Sequence, residues 1–290
     1  MLRLIFCALL ILLNLAGHAQ ERSIALGVYT GFTIPYTIDG GINKDPRYKS
    51  SYKLKSAPIG LNFSMDYEGF GVLINPGLIH IGEDFWVINV KGGQEGVRKI
   101  NMQYFNLPVG IKLHIIDMSF FRVSATASVA GSYLLNGKET ISHAATKLSF
   151  PTEVYPILPP GYNVDYDGVN VPEVHDYPML SKNDFQKIQL FGSAGLHSDW
   201  DVSNDWRVSF DFRVGYALTD SRTKNYLDRL NAYQTLYDFP GKRREAYAQF
   251  SVGISRYIEF DKSDRDRKKK LKGSKKFTPK TSPKRSKPRG

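Results

Sequence analysis

The chain has 290 residues and a formal charge of +11. From Asp261 onward there are 14 Lys/Arg against 3 Asp/Glu, while the remainder holds 25 of each sign. The basic character therefore belongs to the tail alone, and the neutral body carries no case for a nucleic-acid surface.

Residues 1–19, "MLRLIFCALLILLNLAGHA", read as a secretory signal peptide. Arg3 is its single charge, Leu4–Leu13 is an unbroken apolar run, and Gly17 and Ala19 have the small-residue spacing of a cleavage site after Ala19. The run is too short to cross a ~30 Å bilayer as a helix. Cys7, the only cysteine, lies early in it. A lipid-anchored cysteine would sit at its end, so no anchor is expected, and the expected mature chain has no thiol, which suits an oxidising compartment. No later segment approaches 18 uninterrupted apolar residues, so no membrane-spanning helix is expected. A barrel escapes that test, because only every second residue of its strands faces lipid.

From residue 20 the hydrophobic period is two. It predicts strands at Ile24–Tyr36, Ala57–Glu68, Phe70–Ile81, Gln103–Ile116, Phe120–Leu135, Gln186–Ser198, Trp206–Leu218 and Ala246–Phe260. The seventh is the clearest. Trp206, Val208, Phe210, Phe212, Val214, Tyr216 and Leu218 share one face, against Arg207, Ser209, Asp211 and Arg213 on the other. Its length exceeds the usual globular strand of about five or six residues and suits a tilted membrane strand. Connections alternate. Short turns fall near Glu68-Gly69, near Asp117 and in "DVSND" (201–205), and long loops fall at about 37–56, 82–102, 136–185 and 221–245. An even strand count with short turns on one rim and long loops on the other predicts an all-β fold: an eight-stranded antiparallel transmembrane β-barrel with long extracellular loops. A soluble barrel or sandwich would show the same period, with the apolar face inward. What favours the membrane is a bulky apolar face opposed by small residues and charges of both signs. Asp66, Glu68, Lys112, Arg207, Asp211 and Arg213 are expected to form a lumen charge network, since eight strands leave just enough room for side chains to fill the interior.

Outside the strands, the loop from Ser149 to Ser181 holds no Lys or Arg and is stiffened by six prolines. Its tyrosines Tyr155, Tyr162, Tyr166 and Tyr177 are candidate contacts for an outer partner, because a pre-stiffened aromatic loop binds with little ordering cost. Asp165-Tyr166-Asp167-Gly168 has some calcium-loop character but lacks the downstream Glu. In "NYLDRLNAYQTLYD", Tyr226, Leu230, Tyr233 and Tyr237 fall at helical spacing, which predicts a short surface helix. Residues 261–290, with Arg265, Arg267, Lys268, Lys269, Lys270, Lys272, Lys275 and Lys276, are poor in apolar side chains and are expected to be a disordered basic tail. With both termini on the short-turn rim, that tail is periplasmic and faces an anionic target: a protein of the envelope, peptidoglycan or lipid headgroups.

The leader end "GHAQ", the first strand "SIALGVYTGF", the central "QYFNLPVGIKLHI" and the final "AQFSVGISRYIEF" resemble the PorT-like outer-membrane β-barrels of the Bacteroidetes, whose architecture is related to the OmpA-type barrel. The resemblance spans about residues 20–260 through soft patterns. It implies an eight-stranded barrel and, for a few members, service to the type IX secretion system. The basic tail departs from the family, and no peptidoglycan-binding domain of the OmpA kind follows the barrel here.

No HExxH or paired-Cys motif is present, and no cofactor or metal is expected. The reading is a non-enzymatic outer-membrane scaffold or accessory component of envelope or secretion machinery, in contact with outer-membrane lipid and, through its tail, with an anionic periplasmic partner. Two alternatives stand beside it. One is a lipid-modifying barrel enzyme using Ser142-His143, His175 or His197-Ser198. The other is a secreted soluble β protein that binds polyanions through its tail.

Overall fold

A computed structural model of the chain describes residues 22–55, 58–67, 69–118, 120–151, 158–203, 205–232 and 238–260. The expected leader and tail lie outside these residues.

Strands β1 (Arg22–Asp39), β2 (Tyr48–Ser50), β3 (Ile59–Asp66), β4 (Phe70–Ile74), β5 (Gly77–Ile81), β6 (Asp84–Ile88), β7 (Gln94–Met118) and β8 (Phe121–His143) form the first half. Then come β9 (Thr146–Leu148), β10 (Asn163–Asp165), β11 (Gly168–Val171), β12 (Val174–Leu180), β13 (Ile188–Asp201), β14 (Trp206–Ala217), helix α1 (Lys224–Asn231) and β15 (Arg243–Phe260). Eight walls close into a ring. β1 pairs with β3, β3 with β4 and β5, both of these with β7, and then β7 with β8, β8 with β13, β13 with β14, β14 with β15 and β15 with β1, all antiparallel. Closure leaves no unpaired edge around the ring, the one solution by which strands cross a bilayer.

The apolar face points outward. Leu26 is 61% exposed and Leu113 53%, whereas Lys112 of the opposite face is 0% exposed. This orientation corrects the soluble-protein alternative, which needs the reverse. Aromatics mark both edges of the apolar band. At the turn rim Phe121 packs on Trp200 with ring centroids 4.4 Å apart, near exposed Trp206. At the loop rim Tyr36 stacks on Tyr52 at 6.3 Å, level with Tyr216 on the ladder, and Tyr133 is exposed on β8.

Three boundaries differ from the sequence reading. The third wall is not one strand over Phe70–Ile81. Pro76 donates no ladder hydrogen bond and splits it into β4 and β5, while its carbonyl still accepts from the Leu61 N–H at 2.8 Å. β7 begins at Gln94 rather than Gln103, and β8 runs to His143 rather than Leu135, inside segments expected to be loops. There the pattern inverts: Arg98, Ile100, Met102, Glu139 and Ile141 are buried inward, while Lys99, Asn101 and Lys138 are exposed outward. The ladder continues, but the lipid-facing signal that marks a strand in sequence has ended.

This extension carries a cap. β6 and β2 add to β7, and β12 adds to β8, making a sheet that rises past the apolar band. Beside it stands a second sheet of β9, β10 and β11. Val87, Ile141, Leu148, Phe150, Val169 and Val171 form the cap's own core. Helix α1 forms where expected. The Thr223 hydroxyl caps it by accepting from the Tyr226 N–H at 3.3 Å, and Tyr226 and Leu230 turn inward. Tyr233 and Tyr237 lie outside the described residues.

Candidate functional site

The interior of the ring is stacked in three layers. Nearest the turn rim is a charge network built from the inward positions of β3, β7, β8, β13 and β14. Lys112 Nζ lies 2.6 Å from Asp66 Oδ1 and 3.1 Å from Asp199 Oδ2. Arg207 reaches Asp66 at 2.9 Å and Asp201 at 2.7 Å. Arg213 meets Asp211 at 3.1 Å, and Arg122 lies 3.5 Å from Asp66 and 3.0 Å from Asp117. His197 stands between Asp199 at 3.0 Å and Asp211 at 3.1 Å, one carboxylate per ring nitrogen. Only a doubly protonated ring donates to both. Counted so, the carboxylates of Asp66, Asp117, Asp199, Asp201 and Asp211 are matched by Lys112, Arg122, Arg207, Arg213 and His197.

The sequence-predicted residues Asp66, Lys112, Arg207, Asp211 and Arg213 are therefore brought together. Glu68 lies outside the described residues. Sequence reasoning missed Asp199, Asp201, Arg122 and His197, although the same alternation along β13 and β8 places them on the inward face. A polar cavity of about 20 Å³, room for a single water, lies among Asn62, His197, Ser209, Asp211, Arg213 and Gln249.

The middle layer is apolar and aromatic: Tyr104, Ala130, Leu134, Phe191, Ala217 and Tyr247. Tyr104 meets Phe191 edge-on at 6.2 Å, and Phe191 lies 5.9 Å from Tyr247. Gly215 makes room for Tyr247, since a Cβ there would stand 2.2 Å from the ring.

The third layer closes the loop-side mouth with a second, fully buried charge network. Arg243 of β15 binds Asp39 of β1 at 2.6 Å and Glu139 of β8 at 2.6 Å. Arg98 of β7 contacts Glu139 and lies 3.1 Å from Asp238. Arg222 stands 3.5 Å from Asp39 and 3.6 Å from Asp238, and donates to the Gly241 carbonyl. Asp238 also accepts from the Tyr226 hydroxyl of α1 at 3.2 Å. Above it, the Arg47 guanidinium is held by Asp45 at 2.6 Å and lies 4.0 Å from the Phe150 ring centroid. Strand ends and loops are thus clamped across the mouth. At its edge Glu83 Oε2 accepts from the Thr37 N–H at 2.9 Å, and burial pushes this carboxyl above its usual range.

The cap decides the loop residues. Tyr166 is fully exposed at the β10–β11 turn and Tyr177 is half exposed on β12, whereas Tyr162 packs edge-on against Phe150 at 6.0 Å. Tyr155 lies outside the described residues, as do Arg265, Arg267, Lys268, Lys269, Lys270, Lys272, Lys275 and Lys276. Asp165 and Asp167 do converge, but on the Lys147 ammonium, at 2.6 and 2.7 Å. Their hydrogen bonds to Lys147 hold both carboxyls below the usual range. An amino group stands where a calcium ion would.

The adjacent Ser-His pairs are split by strand alternation. Ser142 bonds Asp176, while the buried His143 ring bonds the Ala144 carbonyl at 2.9 Å, and burial lowers its basicity. His197 points into the lumen, while Ser198 points outward and accepts from the Trp200 indole at 2.8 Å. His175 is exposed beside Glu173 at 2.8 Å. None of these serines has a histidine base.

No curated protein matches the chain. Among solved structures the fold is similar to that of Ail, the attachment invasion locus protein of Yersinia pestis, at 10% identity and a TM-score of 0.32, covering 82% of this chain and 99% of that one. It is also similar to the outer membrane protein OprG of Pseudomonas aeruginosa, at 8% identity and a TM-score of 0.35, covering 83% and 97%. A family model described as outer membrane protein beta-barrel domain matches residues 18–222. That is well over half of the sequence, and the chain belongs to this family of outer-membrane β-barrels.

Proposed function

We propose that the protein is an outer-membrane anchor that presents a folded cap to a partner on the loop side and a basic tether to an anionic partner on the turn side, without chemistry of its own. The observation that carries this reading is the filled interior. Two charge networks and an aromatic layer occupy the lumen from rim to rim, so solute passage is not what the barrel offers. What it offers is surface: a packed cap with Tyr166 and Tyr177 exposed on it. Arg22 pairs with Phe260, so the described chain ends at the turn rim, which in bacterial outer-membrane barrels is the periplasmic one, and this supports a tail on that side. The finer role, an accessory of secretion machinery of the type IX kind, rests on the resemblance to the PorT-like barrels.

The test is crosslinking and affinity capture of the intact protein beside two variants, a deletion of 261–290 and Tyr166→Ser/Tyr177→Ser, with conductance in planar bilayers measured in parallel. The expected result is a distinct partner lost from each variant, with closed bilayers throughout. An unchanged partner set in both variants, or steady ion conduction by the intact barrel, would overturn the reading.

A further inference from the structure

The outer wall changes chemistry directly above its loop-side aromatics. Outward positions of β7 and β8 in the apolar band are Phe105, Leu107 and Val109, and Val129, Tyr133 and Leu135, all exposed. One step higher the outward positions become Gln103, Asn101 and Lys99 on β7, and Asn136, Lys138 and Thr140 on β8. Lys138 is paired opposite Asn101 and Lys99 opposite Thr140. The two lysines are thus diagonal neighbours on one face, roughly 7–8 Å apart along the ladder.

Lys55 enters from the side. Its Nζ lies 2.8 Å from Asn101 Oδ1 and 2.6 Å from Asp84 Oδ1. On the neighbouring strands Lys49 is paired opposite Trp86, and the Lys53 ammonium lies 4.6 Å from the Trp86 ring centroid. Lys49, Lys53, Lys99 and Lys138 are exposed, and among the described residues none is in an ion pair. Asp84, paired opposite Lys99 on the ladder, is engaged by Lys55 at 2.6 Å. This face therefore presents five ammonium groups against two carboxylates, Asp84 and the Asp176 held by Ser142, at the height where a lipid's acyl chains give way to its headgroup. The outward wall at the turn rim has no counterpart among the described residues: Arg256 is exposed there singly, and Asp117 is paired with Arg122.

We propose that this basic face of β7 and β8 is a binding site for the phosphate of a phosphorylated lipid in the loop-side leaflet. Lys99 and Lys138 hold the phosphate, with Lys55 and the Asn101 amide beside it. The acyl chains lie against Phe105, Leu107, Tyr133 and Leu135. Continuity with the lipid-facing wall selects a lipid over an acidic protein, and the cation count selects an anionic headgroup over a neutral one. The proposal does not rest on the partner-docking reading, since its ligand is a lipid of the leaflet and its lysines stand at the foot of the cap.

The experiment uses the full chain, delipidated in detergent and offered diphosphorylated lipid A, a neutral glycolipid of similar chain content, or inorganic phosphate, with retained ligand counted by native mass spectrometry. Retention of the phosphorylated lipid alone is expected. Lys99→Gln/Lys138→Gln should weaken it about thirtyfold, while Lys99→Arg/Lys138→Arg keeps it and Lys182→Gln/Lys224→Gln leaves it unchanged. Heat-dependent gel mobility checks that every variant is folded, as substitution of exposed side chains predicts. Equal retention of the neutral glycolipid, no effect of the double glutamine variant, or binding of inorganic phosphate without lipid would overturn the site.

Discussion

The two buried charge networks have nearly the same chemistry and opposite dependencies. The turn-side network, centred on Lys112, Asp66 and Asp199, is made of side chains that the strand ladders already hold in place. It is an internal property of the wall. The mouth network, centred on Arg243, Glu139 and Asp39, recruits Arg222 and Asp238 from the segment between β14 and β15. It holds loops that nothing in the ladders would hold. Buried ion pairs add little net stability when intact, because each charge was desolvated to make them, but breaking one strands its partner. The same substitution should therefore unfold different things at the two levels.

The largest effect is expected from Arg243→Leu, which leaves Asp39 and Glu139 facing each other without their shared cation. It should cost about 3–5 kcal/mol. The loss should appear first in the cap, as rapid proteolysis between residues 218 and 242 while heat-dependent gel mobility still reports a folded barrel. Lys112→Met is of the same class and should lower the unfolding temperature of the barrel itself while the cap keeps its protease resistance. If the two variants gave one common signature, the division between the layers would be wrong. Gly215→Val tests the layer that separates them. It drives a side chain into the Tyr247 ring and should cost about 1–3 kcal/mol, read as an intermediate fall in unfolding temperature.

The smallest effect expected is pH-dependent. Glu83 has a raised pKa in the fold, so its contribution is complete below the unfolded pKa and is lost as pH rises through the folded value. Glu83→Gln should match the parent in acid and become the more protease-resistant of the two as pH rises. A difference that grew toward acid would reverse the sign and discard the argument.

The contrast also explains what the sequence made legible. The turn-side charges are interleaved with lipid-facing residues, so Arg207, Asp211 and Arg213 declare themselves by alternation against Phe210, Phe212 and Val214. At the mouth that partner signal is missing. Arg98 and Glu139 alternate with Lys99 and Lys138, polar against polar, which reads as loop. Arg222 meets Asp39 and Asp238 only after a long excursion of the chain. The cap was hidden for the same reason. Tyr162 and Tyr166, alike in sequence, part company because one finds Phe150 beneath it. Adjacent residues misled in the other direction: Ser142-His143 and His197-Ser198 look like pairs until a strand sends their side chains to opposite faces.

The pairing of Arg22 with Phe260 has a consequence for how this protein comes into being. Nearly the whole sequence separates the two residues, yet β1 and β15 share a continuous ladder along their full length. The seam cannot zip until the last strand has been delivered, so the most distant pairing among the described residues is also the final one. Before that moment the sheet has two open edges. Assembly of this barrel thus has a single terminal step, and Arg243, which stands on the last strand and clasps both β1 and β8, is placed to lock the mouth as that step completes.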